Sequence, residues 1–480
     1  MFKKLLLLSA LLQFSITNAE ITLTKVATYN TTFGEGSAEI SAYDSKSQRL
    51  FVINSAFASF SIVDLANPLN PLSVATIDIS TIGSSITSIT VNNGLVAASI
   101  PADVITDNGA VAFFDINGTL QNQVIVGALP DMLTFNHQGN VILVANEGEP
   151  NEGIDPDGSI SIINLDNGLE NITVETIDFT EFNSQQPRFS ELPKEVIIFP
   201  NRSVSQDLEP EFISILKDDS KAYVTLQENN AVAVIDLQTL QINAIHALGF
   251  KNHNVLGNEL DPSNEDGLKN NGSIEIANWP VLGMYQPDSI ASYSIGNADY
   301  YLTANEGDAR DEDVRIKDLI LDPTVFPDAT LLQTNSQLGR LKVSNILGDI
   351  DGDKDFDQLY AYGGRSFSIW DAETGNQVFD SGSEIEMQVA IQNPEIFNSN
   401  GGTVDSFDSR SDDKGPEPEG LIVNQIGSQY YAFIGLERVG GVVVYNITNP
   451  NQSKLEVFQS STDGDQAPEG LLFKKILIIV

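Results

Sequence analysis

The sequence predicts an all-β protein, a β-propeller of about seven blades with long face loops, from two observations. Apolar residues alternate with small or polar ones at a period of two, and one plan for a strand pair recurs along the chain at irregular spacing. Such alternation, rich in Val, Ile, Tyr and Phe, cannot lay a continuous apolar stripe on a helix. Units of four short strands with no convincing amphipathic helix between them suit radial blades, which protect their edges. A stacked solenoid would need shorter and more regular repeats.

The copies run in order. They are "RLFVINSAFASFSIVDL" from 49, "LVAASIP" with "GAVAFFDI" from 95, "VILVANEGEP" with "GSISIINL" from 141, "AYVTLQENNAVAVIDL" from 222 and "YYAFIGLERVGGVVVYNI" from 430. Each has an apolar run with a small or polar break, a polar loop, and an alternating strand that stops at Asp or Asn. "YYLTANEGDARD" from 300 supplies the first half of one more, and "LYAYGGRSFSIWD" from 359 reads as an extra unit. A proline, then an acid, then an apolar residue opens many copies: "LPDML" at 129, "EPEFI" at 209, "QPDSI" at 286, "PEPEGL" at 416 and "APEGLL" at 467. Unit starts therefore fall near residues 33, 83, 129, 209, 286, 359 and 416. Segments 150–158, 180–208, 250–285 and 308–345 are expected as loops on the propeller faces. The ending "APEGLLFKKILIIV" opens a unit and stops before its strand pair, so it is expected either to close the ring against the N-terminal strands or to be a truncated unit.

The chain has 480 residues, 41% of them hydrophobic and 19% charged, which places it among folded globular proteins. Asp and Glu number 66 against 25 Lys and Arg, a net charge of -41 that argues against nucleic acid or anionic lipid as a partner and favours cations. An acidic surface that keeps the protein soluble in saline accounts for much of the same charge. There is no cysteine, which excludes thiol catalysis, cysteine-ligated zinc and iron–sulfur clusters. Residues 1–19 read as a secretory signal peptide: Lys3 and Lys4, then the apolar run from Leu5 to Leu12, then Thr17 and Ala19 before the cut. No later stretch reaches the roughly 18 apolar residues of a membrane helix. Residues 20–480 are thus expected as one exported propeller domain, extracellular, at the cell surface or periplasmic. Glycosylation acceptors stand at Asn30, Asn117, Asn171, Asn201, Asn271, Asn446 and Asn451.

In "GDIDGDKDFDQLYAYGG", from 348, Asp349, Asp351, Asp353 and Asp357 take relative positions 1, 3, 5 and 9, with Gly352 at the bend. Oxygen donors at alternate positions of a tight loop converge on one point, and carboxylates are the hard ligands that calcium prefers. Asp355 is assigned as a backbone-carbonyl or outer-sphere contributor. The spacing departs from that of a helix-loop-helix site and is closer to the strand-loop-strand calcium loops of integrin-type blades. A solvated acidic turn is the competing reading, but so many like charges repel unless a cation is present. Asp261, Ser263, Asn264 and Asp266 could form a second calcium loop, although a plain polar turn is the favoured reading there. Glu147, Glu149, Glu306, Asp308 and Arg310 follow equivalent strands and are expected on one rim. Arg310, Arg365, Arg410 and Arg438 could bind phosphate or carboxylate with metal help, or form an ion-paired network that holds loops, the reading preferred here. His137, His246 and His253 are too scattered for a metal triad.

Four stretches carry a resemblance: "SFDSRSDDKGPEPEGL" at 406–421, "NWPVLGMYQPDSIASY" at 278–293, "LTANEGDARD" at 302–311 and "LYAYGGRSFSIWD" at 359–371. They resemble the choice-of-anchor I family, exported bacterial proteins related to mesenchyme-specific cell-surface glycoproteins, over nearly all of the mature chain. The resemblance implies a propeller displayed at or released from the cell surface. Its animal relatives are linked to calcium carbonate biomineralisation, and some bacterial relatives carry the label alkaline phosphatase. Relatives continue past "PEGLLF" through a final strand pair, so the ending "KKILIIV" departs from the family pattern. Two functions are expected. One is an exported calcium-binding propeller that binds a surface ligand, matrix or mineral. The alternative is a metal-dependent phosphoesterase, in which Arg310 or Arg410 steadies phosphate charge and Glu306 or Glu419 orients water.

Overall fold

The computed structural model describes residues 21–31, 33, 37–310, 312–461, 467–474 and 477–479, so the expected signal peptide lies outside the described residues. Six four-stranded antiparallel sheets follow one another as blades. Blade 1 contains Ser41–Asp44, Arg49–Asn54, Ser59–Asp64 and Leu72–Asp78, and blade 2 contains Ser88–Asn92, Leu95–Ile100, Asn108–Asp115 and Leu120–Ala128. Blade 3 is built from Pro130–Phe135, Val141–Asn146, Ser159–Asn164 and Thr173–Asp178. Blade 4 is built from Pro210–Ile215, Lys221–Leu226, Ala231–Asp236 and Gln241–Ala247. Blade 5 has Ile290–Ile295, Ala298–Asn305, Ser366–Asp371 and Gln377–Asp380, and blade 6 has Pro418–Ile426, Gln429–Leu436, Val442–Asn446 and Lys454–Gln459. The two-stranded piece Leu472–Lys474 with Leu477–Ile479 takes the seventh place, its first strand lying against the inner strands of blades 6 and 1.

Apolar packing between blades explains the strand sequences. A second strand such as Val141–Asn146 or Lys221–Leu226 has a neighbouring blade on both faces, so its alternation collapses into a run of five buried residues. The outermost strand Leu72–Asp78 stays largely exposed. Each junction has its own cluster: Phe60 with Phe114 between blades 1 and 2, Phe113 with Val144 between 2 and 3, Ile160 with Val224 between 3 and 4, Tyr223 with Tyr301 between 4 and 5, and Phe367 with Tyr445 between 5 and 6. Leu471 and Phe473 pack on blade 6, and Leu472 packs on blade 1 beside Tyr29, so chain from both ends fills the last gap.

The polar break in the apolar run is an asparagine. Asn54, Asn146 and Asn305, all fully buried, each donate from Nδ2 to two serines of the third strand: Ser59 and Ser61, Ser159 and Ser161, Ser366 and Ser368. These bonds pair amide N–H donors that water cannot reach.

Three expectations change. The stretch from 359 is not a unit of its own: Ser366–Asp371 is the third strand of blade 5, separated from its partner Ala298–Asn305 by a long insertion. The insertions at 250–285 and 308–345 are not plain loops. They join in a mixed five-stranded sheet, Phe250–Asn252, Leu282–Met284, Tyr360–Ala361, Lys342–Ser344 and Asp313–Arg315, with Trp279, Ile316, Leu338 and Leu341 in a separate apolar core. The acidic loop at 348–358, compared above with loops on propeller blades, therefore lies between two strands of this inserted sheet and not on a blade.

The marker prolines pack on glycines of the preceding blade. A Cβ at Gly158 would stand 2.0 Å from the Leu208 carbonyl oxygen and 2.8 Å from Pro210 Cδ, and one at Gly109 would stand 2.5 Å from Pro130 Cδ. Gly158→Ala is expected to destabilise the fold by roughly 1–3 kcal/mol, as overpacking does, read as a lower urea midpoint. An unchanged midpoint would contradict this blade contact.

Candidate functional site

In the acidic loop the carboxylates are held by backbone N–H groups. Asp349 accepts from Gly352 at 2.8 Å and from Lys354 at 3.2 Å, Asp351 from Asp353 at 3.2 Å, Asp353 from Asp355 at 3.1 Å, and Asp357 from Ile350 at 2.8 Å. Gly352 and Lys354 adopt left-handed backbone conformations, φ 84° and 81°, which bend the chain back on itself. The expected single convergence divides in two. Ligand oxygens of Asp349, Asp351 and Asp353 lie within 4.8 Å of one another, and so do those of Asp322, Asp355 and Asp357. Asp322 was not singled out from the sequence. It arrives through a parallel bridge between Leu321 and Phe356 and the Asp322 N–H bond to the Phe356 carbonyl. Desolvation, a hydrogen bond to Asp353 and the charges of Asp353, Asp322 and Asp357 push Asp355 up to about 6. Asp351 is also raised, because the Asp353 N–H bond that lowers it is outweighed by surrounding acids.

The second candidate loop is interior. Asp261 and Ser263 are buried, and protein donors engage the side chains: Ser263 and Glu275 N–H on Asp261 at 3.3 and 2.7 Å, Arg340 on Asn264 at 3.0 Å, and Ser273 N–H on Asp266 at 2.6 Å. Burial, then the Glu386 charge, lifts Asp261 to about 8. Burial, then the Asp261 charge, lifts Asp408 to about 9.

Three of the four arginines share partners, Arg410 and Arg438 on Glu417 and Arg410 and Arg365 on Asp413, while Arg310 pairs with other acids. Arg310 binds Asp207 at 3.0 Å, Glu209, and Glu228 at 3.6 Å, with its guanidinium 4.3 Å from the centre of the Phe199 ring. Arg410 binds Glu417 at 2.6 Å and Asp413 at 3.1 Å, while Arg438 reaches Glu417 at 3.4 Å and Glu437 at 3.0 Å. Arg365 is buried beneath the insertion on Glu386 at 2.9 Å and on the carbonyls of Asp261, Ser411 and Asp413. The lysine Lys414 completes the second group, 2.6 Å from Glu306 and 3.0 Å from Glu417.

A further set of acids was visible only as letters of the unit marker. Asp131, Glu211, Asp288, Glu419 and Glu469 all follow a marker proline, and Glu39 holds the matching place in blade 1. Innermost strands line a propeller's axis, so these side chains crowd toward one another. Left-handed residues at Leu129, Gln286, Glu417 and Ala467 precede four of the prolines and turn the chain into the blade, at roughly 1–3 kcal/mol each for a residue other than glycine. Burial raises Asp131 to about 6 and Glu469 to about 7, each with the charge of Glu39 added. Glu211, Asp288 and Glu419 rise well above the usual range, by burial first and then by neighbouring acids. Glu419 sits in this axial group, apart from Arg310.

A carboxyl raised in the folded chain keeps its proton at a pH where the unfolded chain has released it, so stability is lost as pH rises through the folded values. Asp131 at about 6, Glu437 and Glu469 at about 7 and Asp408 at about 9 set that window. In EDTA, the thermal midpoint is expected to fall by several degrees between about pH 5 and pH 8. A flat or rising midpoint would contradict this burial of charge.

Among the described residues no helix is long and apolar enough to cross a membrane. The chain is 40% identical over 134 residues to Gigasin-3a of Magallana gigas, which covers 27% of this chain and 47% of that protein. It is 29% identical over 287 residues to the mesenchyme-specific cell surface glycoprotein of Strongylocentrotus purpuratus, 52% of this chain and 36% of that protein. It thus spans less than half the length of either relative. Among solved structures it is similar to the Cps50 (Swd1) β-propeller domain of Myceliophteria thermophila, at 9% identity and a TM-score of 0.41 over 92% of this chain and 91% of that one. A functionally unknown protein of Desulfotomaculum acetoxidans matches at 8% identity and a TM-score of 0.43, over 91% and 89%. The family model of the choice-of-anchor I domain matches residues 39–450, and the chain therefore belongs to the choice-of-anchor I domain family.

Proposed function

We propose that this protein is a cell-surface or extracellular propeller that binds calcium at its inserted acidic loop and uses the metal-filled loop to hold a matrix, mineral or surface partner. The observation that carries this reading is the pair of carboxylate triads, Asp349/Asp351/Asp353 and Asp322/Asp355/Asp357. Calcium takes six to eight oxygen ligands in flexible geometry, so three carboxylates per triad with carbonyls and water suit it better than magnesium. The cation would cancel the repulsion that raises Asp351 and Asp355. The family match and the relative named as a cell surface glycoprotein support display outside the cell.

Calcium at 100 times its dissociation constant is expected to stabilise the fold by about 2.7 kcal/mol per site. The check is calorimetric titration of the chelated protein together with heat-unfolding scans. Asp353→Ala is expected to reduce the calcium-dependent rise and to leave the midpoint in EDTA little changed. An undiminished calcium shift in Asp353→Ala would refute the loop as the site.

The second reading is a metal-dependent phosphoesterase. It is supported by the meeting of Glu306, Lys414, Glu417 and Arg410 in one network. Against it, Arg310 and Arg410 both spend their guanidinium groups on buried carboxylates, which phosphate would have to displace. A phosphomonoesterase and diesterase activity that needs calcium and is lost in Arg410→Ala would establish this reading. Inactivity across metals and pH would remove it.

A further inference from the structure

The most confined negative charge lies away from the acidic loop, where blades 3 and 4 meet. Glu147 leaves the end of Val141–Asn146, Glu209 stands just before Pro210–Ile215, and Glu228 follows Lys221–Leu226. One carboxylate oxygen from each lies within 4.8 Å of the other two. Glu209 is 0% exposed and Glu228 5%. One oxygen of Glu228 faces Arg310 Nε at 3.6 Å, whereas its Oε2 is buried with no hydrogen-bond partner. Glu211, on the inner strand, adds its repulsion to that of Glu228, and carboxylates have no donor to share, so the group needs a proton or a cation.

Blades 5 and 6 repeat the arrangement and show what fills it. Glu306 follows Asn305 as Glu147 follows Asn146, Glu417 precedes Pro418 as Glu209 precedes Pro210, and Glu437 lies just past its second strand as Glu228 does. Glu306, Glu417 and Glu437 also bring oxygens within 4.8 Å of one another. There the Lys414 ammonium is inserted, 2.6 Å from Glu306 and 3.0 Å from Glu417. Among the described residues no ammonium enters the blade 3–4 triad. Arg310 and Arg202 hold Glu209, and Arg310 touches Glu228, but among the described residues Glu147 has no ion pair. Burial and the charges of Asp131, Glu228, Glu149 and Glu209 all act against ionised Glu147.

We propose that the blade 3–4 triad is a second cation site, in which Glu147, Glu209 and Glu228 bind a hard divalent metal ion such as calcium with Glu211 beside them, at the place Lys414 fills between blades 5 and 6. The donor set is all oxygen, which selects calcium or manganese over the metals that prefer nitrogen or sulfur. Among the described residues the cations facing Glu147, Glu209, Glu228, Asp207 and Asp155 are the guanidinium groups of Arg310 and Arg202, so negative charge is left over that a divalent ion would reduce. The site does not depend on the acidic loop.

The test uses the full chain, freed of metal with EDTA, in a loop-disabled Asp353→Ala/Asp355→Ala background. Calorimetric titration with CaCl2, and separately with MnCl2, is expected to show one ion still bound. Adding Glu147→Gln, a change at a partly exposed side chain, is expected to weaken that ion at least tenfold, with circular dichroism unchanged. Glu228→Gln should do the same, and Glu147→Gln decides the matter if Glu228→Gln does not fold. If the loop-disabled protein binds neither metal, or if Glu147→Gln titrates like its parent, the proposal is overturned. It is also overturned if Glu147→Gln raises the thermal midpoint equally with and without calcium, because shared protons then fill the gap. Failure of the loop alone would appear differently: the wild-type and loop-disabled proteins would titrate alike, with the triad ion still present.

Discussion

The structure depends on apolar burial on both faces of each blade. A sheet with one wet face could keep a simple alternation of apolar and polar residues, but a blade clamped between two others cannot. Its middle strands become continuous runs such as "VILVAN", and a polar group left inside is costly unless it is paired. That requirement explains Asn54, Asn146 and Asn305 with their serine pairs, and the glycines at 109 and 158 where a marker proline presses in. It also explains the last gap, where Leu471, Leu472 and Phe473 supply apolar surface to blades 6 and 1.

The same closure concentrates charge. Every unit but blade 2 sets an acid at or just before its inner strand, and the radial arrangement turns a repeated letter into a crowd of carboxylates. Fixed cations answer neighbouring acids and not these: Arg310 and Arg202 hold Asp207 and Glu209 at blades 3 and 4, and Lys414, Arg410 and Arg438 hold Glu306 and Glu417 at blades 5 and 6. What they leave is carboxylate charge held at a high energetic cost, which protons or metal ions can relieve. The acidic loop poses the same problem at the surface, where solvent makes the cost smaller.

Much of the fold was legible because strand alternation and the proline marker are local signals. Blade 5 was misread for a physical reason. Ala298–Asn305 and Ser366–Asp371 pair across a long insertion, and the second half looks like a new unit when only near neighbours are compared. The site was less legible, because convergence is a tertiary property. Asp349, Asp351 and Asp353 were within reach of spacing arguments, but Asp322 reaches Asp355 only through the Leu321–Phe356 bridge. Nor could spacing show that Arg310 and Arg410 are committed to different blades, or that Glu209 and Glu417 are buried partners and not just residues ahead of a proline.

The central claim is that folding assembles carboxylate groups that hold metal ions. The most direct measurement is anomalous diffraction from crystals grown with terbium(III), a calcium surrogate. The account predicts anomalous peaks at about 2.3–2.6 Å from carboxylate oxygens, in the loop of Asp349, Asp351 and Asp353 and between Glu147, Glu209 and Glu228. A map with well-ordered carboxylates and no peak at either place would contradict it.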